Sequence, residues 1–172
     1  ELVFMFRGEI TEFQFYQNRK AEKLIMMPFC QEDLEMHGHN FFELAYITGG
    51  TAEHTLENEG KTISAGDYFF VDYGCLHGFQ NCKNLTLINC LFLPETVDET
   101  LQGCRSFSQL LQGCLLKYYR MSLGQAKFAR VFHDRDGQVG RLMQEMLLEY
   151  QEQKVGCYPL LRFKLLEILL LT

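Results

Sequence analysis

Apolar and polar positions change period partway along the chain, near Pro94. Before it, short apolar runs of strand length are broken by Gly, Asn and Asp. Phe42 to Thr48 runs into Gly49-Gly50, and Thr51 to Leu56 runs into Glu57-Asn-Glu-Gly60. Lys61 to Ala65 meets Gly66-Asp67, Tyr68 to Val71 meets Asp72-Tyr-Gly74, and Leu85 to Leu93 ends at Pro94. Strands at this short, regular spacing predict a β-sandwich or barrel, with Asn58-Glu59-Gly60 closing a hairpin. After Pro94 the period is helical. Between Gln138 and Glu152 the apolar residues Val139, Leu142, Met143, Met146, Leu147 and Tyr150 form one stripe, as on one face of a helix. Asp134 or Asp136 is the expected cap, and Pro159 suits the first turn of a further helix.

That last helix, Leu160 to Leu171, is apolar nearly all round. It needs cover on more than one side, so a second copy of the chain is the expected partner for one of them. A chain that ends in ILLLT and starts at Glu1 reads as a fragment of something longer.

Composition narrows the class. The 172 residues fit one domain, or one domain with a helical appendage, with 47% hydrophobic and 22% charged residues, 15 Phe and no Trp. A formal charge of −6 argues against a face that grips nucleic-acid phosphates. ELVFMFRGEI lacks the apolar run of a signal peptide, and Ile168 to Leu171 is too short to span a bilayer. Seven cysteines without a CxxC read as free thiols of a reducing cytoplasm.

The candidate chemistry lies in HGHNFFELAYITGG, His37 to Gly50. His37, His39 and Glu43 share parity, but four extended residues from His39 to Glu43 span about 13 Å, too far to share one ion. Metal binding therefore demands a bend between His39 and Phe42, for which Asn40 is suited. His77, after the turn Asp72-Tyr-Gly74, completes a set of three histidines and one carboxylate. Such a set suits a first-row ion: Mn, Fe, Co, Ni or Zn.

The spacing resembles the two cupin motifs. His37, His39, Glu43 and Gly50 match the first; Gly66, Gly74, His77 and Asn81 match the second. Gln31 stands where the first motif usually opens with glycine, and Asp72 where the second has proline. With Ser106-Phe-Ser-Gln-Leu-Leu, a helix ending Leu-Leu-Glu-Tyr, and Gly156-Cys-Tyr-Pro-Leu-Leu after the β part, the chain resembles the sensor half of AraC-type transcription regulators. The resemblance implies a mainly β, cupin-like double-stranded β-helix (a jelly-roll barrel) over 1–94. It implies a helical dimerisation region over 95–172, with the DNA-binding helix-turn-helix modules lying beyond Thr172.

It also implies a small-molecule effector (sugars among the possibilities), a homodimer through the C-terminal helices, and DNA contact only through the absent modules. The metal set is His37, His39, Glu43 and His77. An effector would meet Tyr46, Tyr68 and Asn89, and Arg7 if the N-terminal segment closes over it as an arm. A stand-alone cupin dioxygenase or isomerase with the same four ligands is the alternative reading. Parity leaves open which way His54 faces; His133 reads as a residue near a helix start and Cys75 as a buried thiol.

Overall fold

The computed structural model describes residues 23–116 and 131–172; Arg7 and the expected arm lie outside them. Strands β1 (Leu24–Gln31), β2 (Leu34–His37), β3 (Phe42–Leu56), β4 (Glu59–Ser64), β5 (Asp67–Val71) and β6 (His77–Phe92) come first. After two short 3-10 turns, Pro94–Thr96 and Glu99–Leu101, come helix α1 (Phe107–Leu116), strand β7 (Val131–His133), and helices α2 (Gln138–Glu152) and α3 (Cys157–Leu171). Every strand pairing among these residues is antiparallel. The order is β1-β6-β3-β5-β7, with β2 on β6 and β4 on β3. This is the mainly β class with C-terminal helices that the change of period predicts, in keeping with the jelly-roll form that the resemblance implies.

β3 and β6 organise the sheet. They pair along nearly their whole length, from Phe42 opposite Phe92 to Leu56 opposite His77. Glycines 49 and 50, which the sequence pattern takes as a strand end, lie inside β3. The β3–β6 register shifts on both sides of Gly49, and Gly50 takes a φ of 75°. A Cβ there would fall 2.2 Å from the carbonyl oxygen of Asn84. Two expected strands are thus one long strand with an irregularity, the usual way for a sheet to bend. The bend sends the first half of β3 to β5 and the second to β4.

Alternation along these strands sorts two cores. Ala45, Ile47, Ala52, Leu56, Ile63, Phe69, Val71, Phe79, Leu85 and Leu87 fill the inner one. Leu44, Phe70 and Phe92 face the other way and join Leu110 of α1, Met143 and Met146 of α2 and Leu161 and Leu165 of α3. Residue 94 does not separate sheet from helices cleanly, because β7 adds to β5 with Tyr68 opposite Phe132.

α2 has the predicted bounds. Its flanking residue Gly137 offers no side-chain cap. Asp134 supplies one from further out, its Oδ2 accepting the Gly140 N–H at 2.8 Å. On α3, Cys157, Leu161, Leu165, Ile168 and Leu169 are buried, while Leu160 (44% exposed), Phe163 (63%) and Leu170 (57%) point away. None of the described helices is long and apolar enough to cross a membrane.

Candidate functional site

The loop between β2 and β3 makes the bend that metal binding demands. β2 stops at His37, Asn40 and Phe41 form a bend, and β3 starts at Phe42. The turn is fastened by Gly74, whose N–H donates to the His39 carbonyl at 2.8 Å. His39, on the loop, and Glu43, one turn of chain later on β3, therefore meet despite the extended backbone. His77 reaches them as the first residue of β6.

Glu43 Oε2 is 3.2 Å from His39 Nε2 and 3.6 Å from His77 Nε2. The three donor atoms lie within 4.8 Å of one another, and all three residues are buried. Neither Nε2 has a hydrogen-bond partner. Donors about 2.0–2.2 Å from one ion fall at such separations, and imidazole with carboxylate suits Zn or another first-row ion. Orphaned ring nitrogens turned toward one carboxylate oxygen are a donor set that fits a metal.

The other ring nitrogen of each histidine is held. His39 Nδ1 is 2.8 Å from the Phe41 carbonyl oxygen, which can only accept, so this nitrogen carries the hydrogen. In the neutral ring Nε2 is then a free lone pair. His37 Nδ1 is bonded in the same way to the Glu35 carbonyl, at 3.0 Å. His77 Nδ1 meets a side chain instead, His54 Nε2 at 3.4 Å.

Electrostatics agree with the donor set. Burial alone would push the Glu43 carboxyl up; the attraction of the adjoining His77, His39 and His37 outweighs it and holds it at about 2. Burial drives His77 well below its ordinary value despite the attraction of Glu43, and brings His54 down to about 4. At neutral pH this leaves Glu43 ionised beside a neutral His77, the protonation states that ligation requires of those two. Among the described residues no lysine or arginine pairs with Glu43, so its charge faces only histidines.

Of the four predicted ligands the structure thus gathers three. His37 stacks near His77, with ring centres 4.2 Å apart, yet it is half-buried and stands outside the group that closes on one point. Asn89 lies opposite Ala45, an inner-core residue, and keeps a buried Oδ1 without a partner. Tyr46 and Tyr68 are not brought to this face. Tyr46 donates to Asp134 Oδ2 at 3.2 Å, and Tyr68 stacks on Phe132 with its hydroxyl 3.4 Å from that of Thr172. Both point toward the helices.

His54 belongs to the inner face, which sequence reasoning left open. The signal was present: in Thr51-Ala-Glu-His-Thr-Leu56 the apolar Ala52 and Leu56 share its parity. His133 bonds Asp67 at 2.8 Å and ties β7 to β5. Asp72, in the place of the motif's proline, accepts the Phe107 N–H at 2.7 Å and so caps α1.

The transcriptional activator RhaR of Yersinia pseudotuberculosis is 29% identical over 67 residues, covering 39% of this chain and 23% of that protein. The RhaR activator of Cronobacter sakazakii is 24% identical over 86 residues, 50% of this chain and 30% of its own length. The matches therefore span less than a third of these relatives. Among solved structures, an RmlC-like cupin from Shewanella frigidimarina is similar at 23% identity and a TM-score of 0.37, over 41% of this chain and 66% of that one. KdgF from a Halomonas species is similar at 22% and 0.39, over 42% and 71%. The family model described as the AraC-like ligand binding domain matches residues 29–157, through the sheet and into α3. The chain belongs to the AraC-like ligand-binding domain family.

Proposed function

We propose that this chain is the effector-sensing and self-associating part of a cytoplasmic, DNA-binding transcription regulator, with a divalent first-row ion at His39, Glu43 and His77. The observation that carries the metal part is the pair of orphaned Nε2 atoms facing a buried, ionised carboxylate. A bound ion would act as a Lewis acid toward an oxygen of the effector. The protein's own share is to hold two imidazoles as lone-pair donors, keep Glu43 ionised and surround the site with the apolar residues of the inner core. Asn89 Oδ1, on the same face, is available to a donor group of the effector.

The route from site to helices runs through β3. Glu43 faces inward; three residues on, Tyr46 faces outward and bonds the carboxylate that caps α2. An effector that prefers one setting of β3 shifts the helices by its differential affinity for the two settings, and by no more. Leu160, Phe163 and Leu170 on α3 form the face for a second copy, buried only on self-association. Cys30, Cys75, Cys82, Cys90, Cys104 and Cys157 are free thiols, in keeping with a reducing compartment.

Two measurements test the reading. Metal analysis of the purified chain is expected to find close to one ion per chain, and much less in His77→Ala; equal, negligible metal in both removes the metal. Light scattering is expected to show a dimer for the parent and a monomer for Phe163→Asp, and a monomeric parent at high micromolar concentration removes self-association. A stand-alone metal-dependent enzyme is the second reading, favoured by the compact three-residue donor set, which leaves coordination positions open. Reading the gene past Thr172 separates them. Helix-turn-helix modules there support the regulator, and a stop codon supports the enzyme.

A further inference from the structure

We propose that His54 is a positioning residue for the metal site, fixing which nitrogen of His77 faces the ion. The inference rests on the metal reading above. A histidine that ligates through one nitrogen needs an acceptor for the N–H on the other, and losing that acceptor weakens binding. His39 and His37 find theirs in backbone carbonyls, at Phe41 and Glu35. His77 has its Nδ1 on His54 Nε2, while its Nε2 points at Glu43. For Nε2 to present a lone pair to an ion, Nδ1 must carry the hydrogen, and His54 Nε2 must accept it.

The ring of His54 is fixed for this task. It is 1% exposed, stacked on Phe69 with centres 4.0 Å apart and an interplanar angle of 23°, and flanked by Phe79 at 4.9 Å. Cross-strand pairing sets it opposite Phe79, two residues from His77. One consequence follows from the tautomers. With Nε2 as acceptor, a neutral His54 carries its hydrogen on Nδ1, and that nitrogen is buried without a protein partner. Holding His77 for the metal thus leaves a donor on the inner face for a water or an acceptor oxygen of a bound small molecule.

The test uses zinc alone, titrated against a chromophoric chelator, with the parent chain, His54→Phe, His54→Gln and His77→Ala. Phenylalanine fits the aromatic slot but cannot accept; glutamine can place its Oε1 where Nε2 stood. His54→Phe is expected to bind zinc about 10–100-fold more weakly, His54→Gln to recover most of that loss, and His77→Ala to bind weakest. In the zinc-loaded parent, nitrogen-15 NMR of the histidine rings is expected to show the Nδ1–H tautomer at both His77 and His54, a readout independent of whether His54→Phe folds. Unchanged zinc affinity in a folded His54→Phe, or an Nε2–H tautomer at His54, overturns the role of His54 while leaving the metal site standing. A parent that binds no zinc removes both.

Discussion

Replacing Glu43 by Gln separates a metal-holding carboxylate from one that is merely buried. The change is close to isosteric, so the inner core and the β3 register are kept while the charge is lost. An ion that binds the folded chain alone stabilises it by RT ln(1 + [L]/Kd), about 2.7 kcal/mol at a free concentration of 100 Kd. For a chain of 172 residues each kcal/mol moves the midpoint by about 2–4 °C, so zinc is expected to raise the parent's melting temperature by about 5–11 °C. Glu43 touches both other donors, and a neutral amide oxygen is a poor replacement. A loss of at least about 100-fold, the upper end for losing an outer partner, is therefore expected. At the same zinc concentration the variant then sits near its own Kd and gains only about 0.4 kcal/mol, or about 1–2 °C. The assay is calorimetric melting of both proteins with zinc and with a chelator. An equal zinc-induced rise in both would show that Glu43 does not hold the ion, and no rise in the parent would remove the site.

Two further predictions come from the same residues and their neighbours. In chelator, stability is expected to fall on acidification, first because the unfolded chain protonates the histidines that burial keeps neutral, His54 and His77, and then through Glu43. His54 has a folded value near 4 against 6.5, so the unfolded chain takes up its proton first and stability is lost as pH drops from 6.5 toward 4, by roughly 3 kcal/mol. Glu43, about 2 against 4.5, contributes stability above 4.5 that is lost as pH drops toward 2. Urea unfolding across pH 7 to 4 checks the first window, and a profile unchanged in His54→Gln would refute its assignment. Tyr46→Phe is expected to cost about 1–2 kcal/mol, and Asp134→Ala about 2–4 kcal/mol because it strands the Gly140 N–H as well as the Tyr46 hydroxyl. Equal effects below 0.5 kcal/mol, about the level of a neutral surface change, would show that β3 and α2 are not joined there.

Much of the fold could be read from the chain because its two hydrophobic periods are local properties. The bounds of α2 follow from a stripe within fifteen residues. What could not be read depends on partners distant in sequence. Gly49-Gly50 carries the composition of a turn, and only the pairing of β3 with β6 on both sides of it makes it a bend within one strand. β7 consists of three residues with no pattern of their own. Its place in the sheet comes from β5, more than sixty residues earlier, and that pairing is why residue 94 is a change of period and not a structural boundary.

The site divides along the same line. Motif spacing selects His37, His39, Glu43 and His77, and the turns that converge the last three, at Asn40 and Asp72 to Gly74, are encoded beside them; His37 stays outside the group. For Tyr46 parity carries more than its place in a strand: it is three residues from Glu43, so on one strand the two face apart, and its hydroxyl meets Asp134. His54 is the reverse case. Its parity with Ala52 and Leu56 points it inward, but nothing within its own strand says that it meets His77. That contact needs β3 to bend at Gly50 and β6 to run antiparallel beside its second half, bringing together residues 23 apart. A motif can therefore name the atoms that face an ion, while the fold decides which partner holds each imidazole in the tautomer that lets it do so.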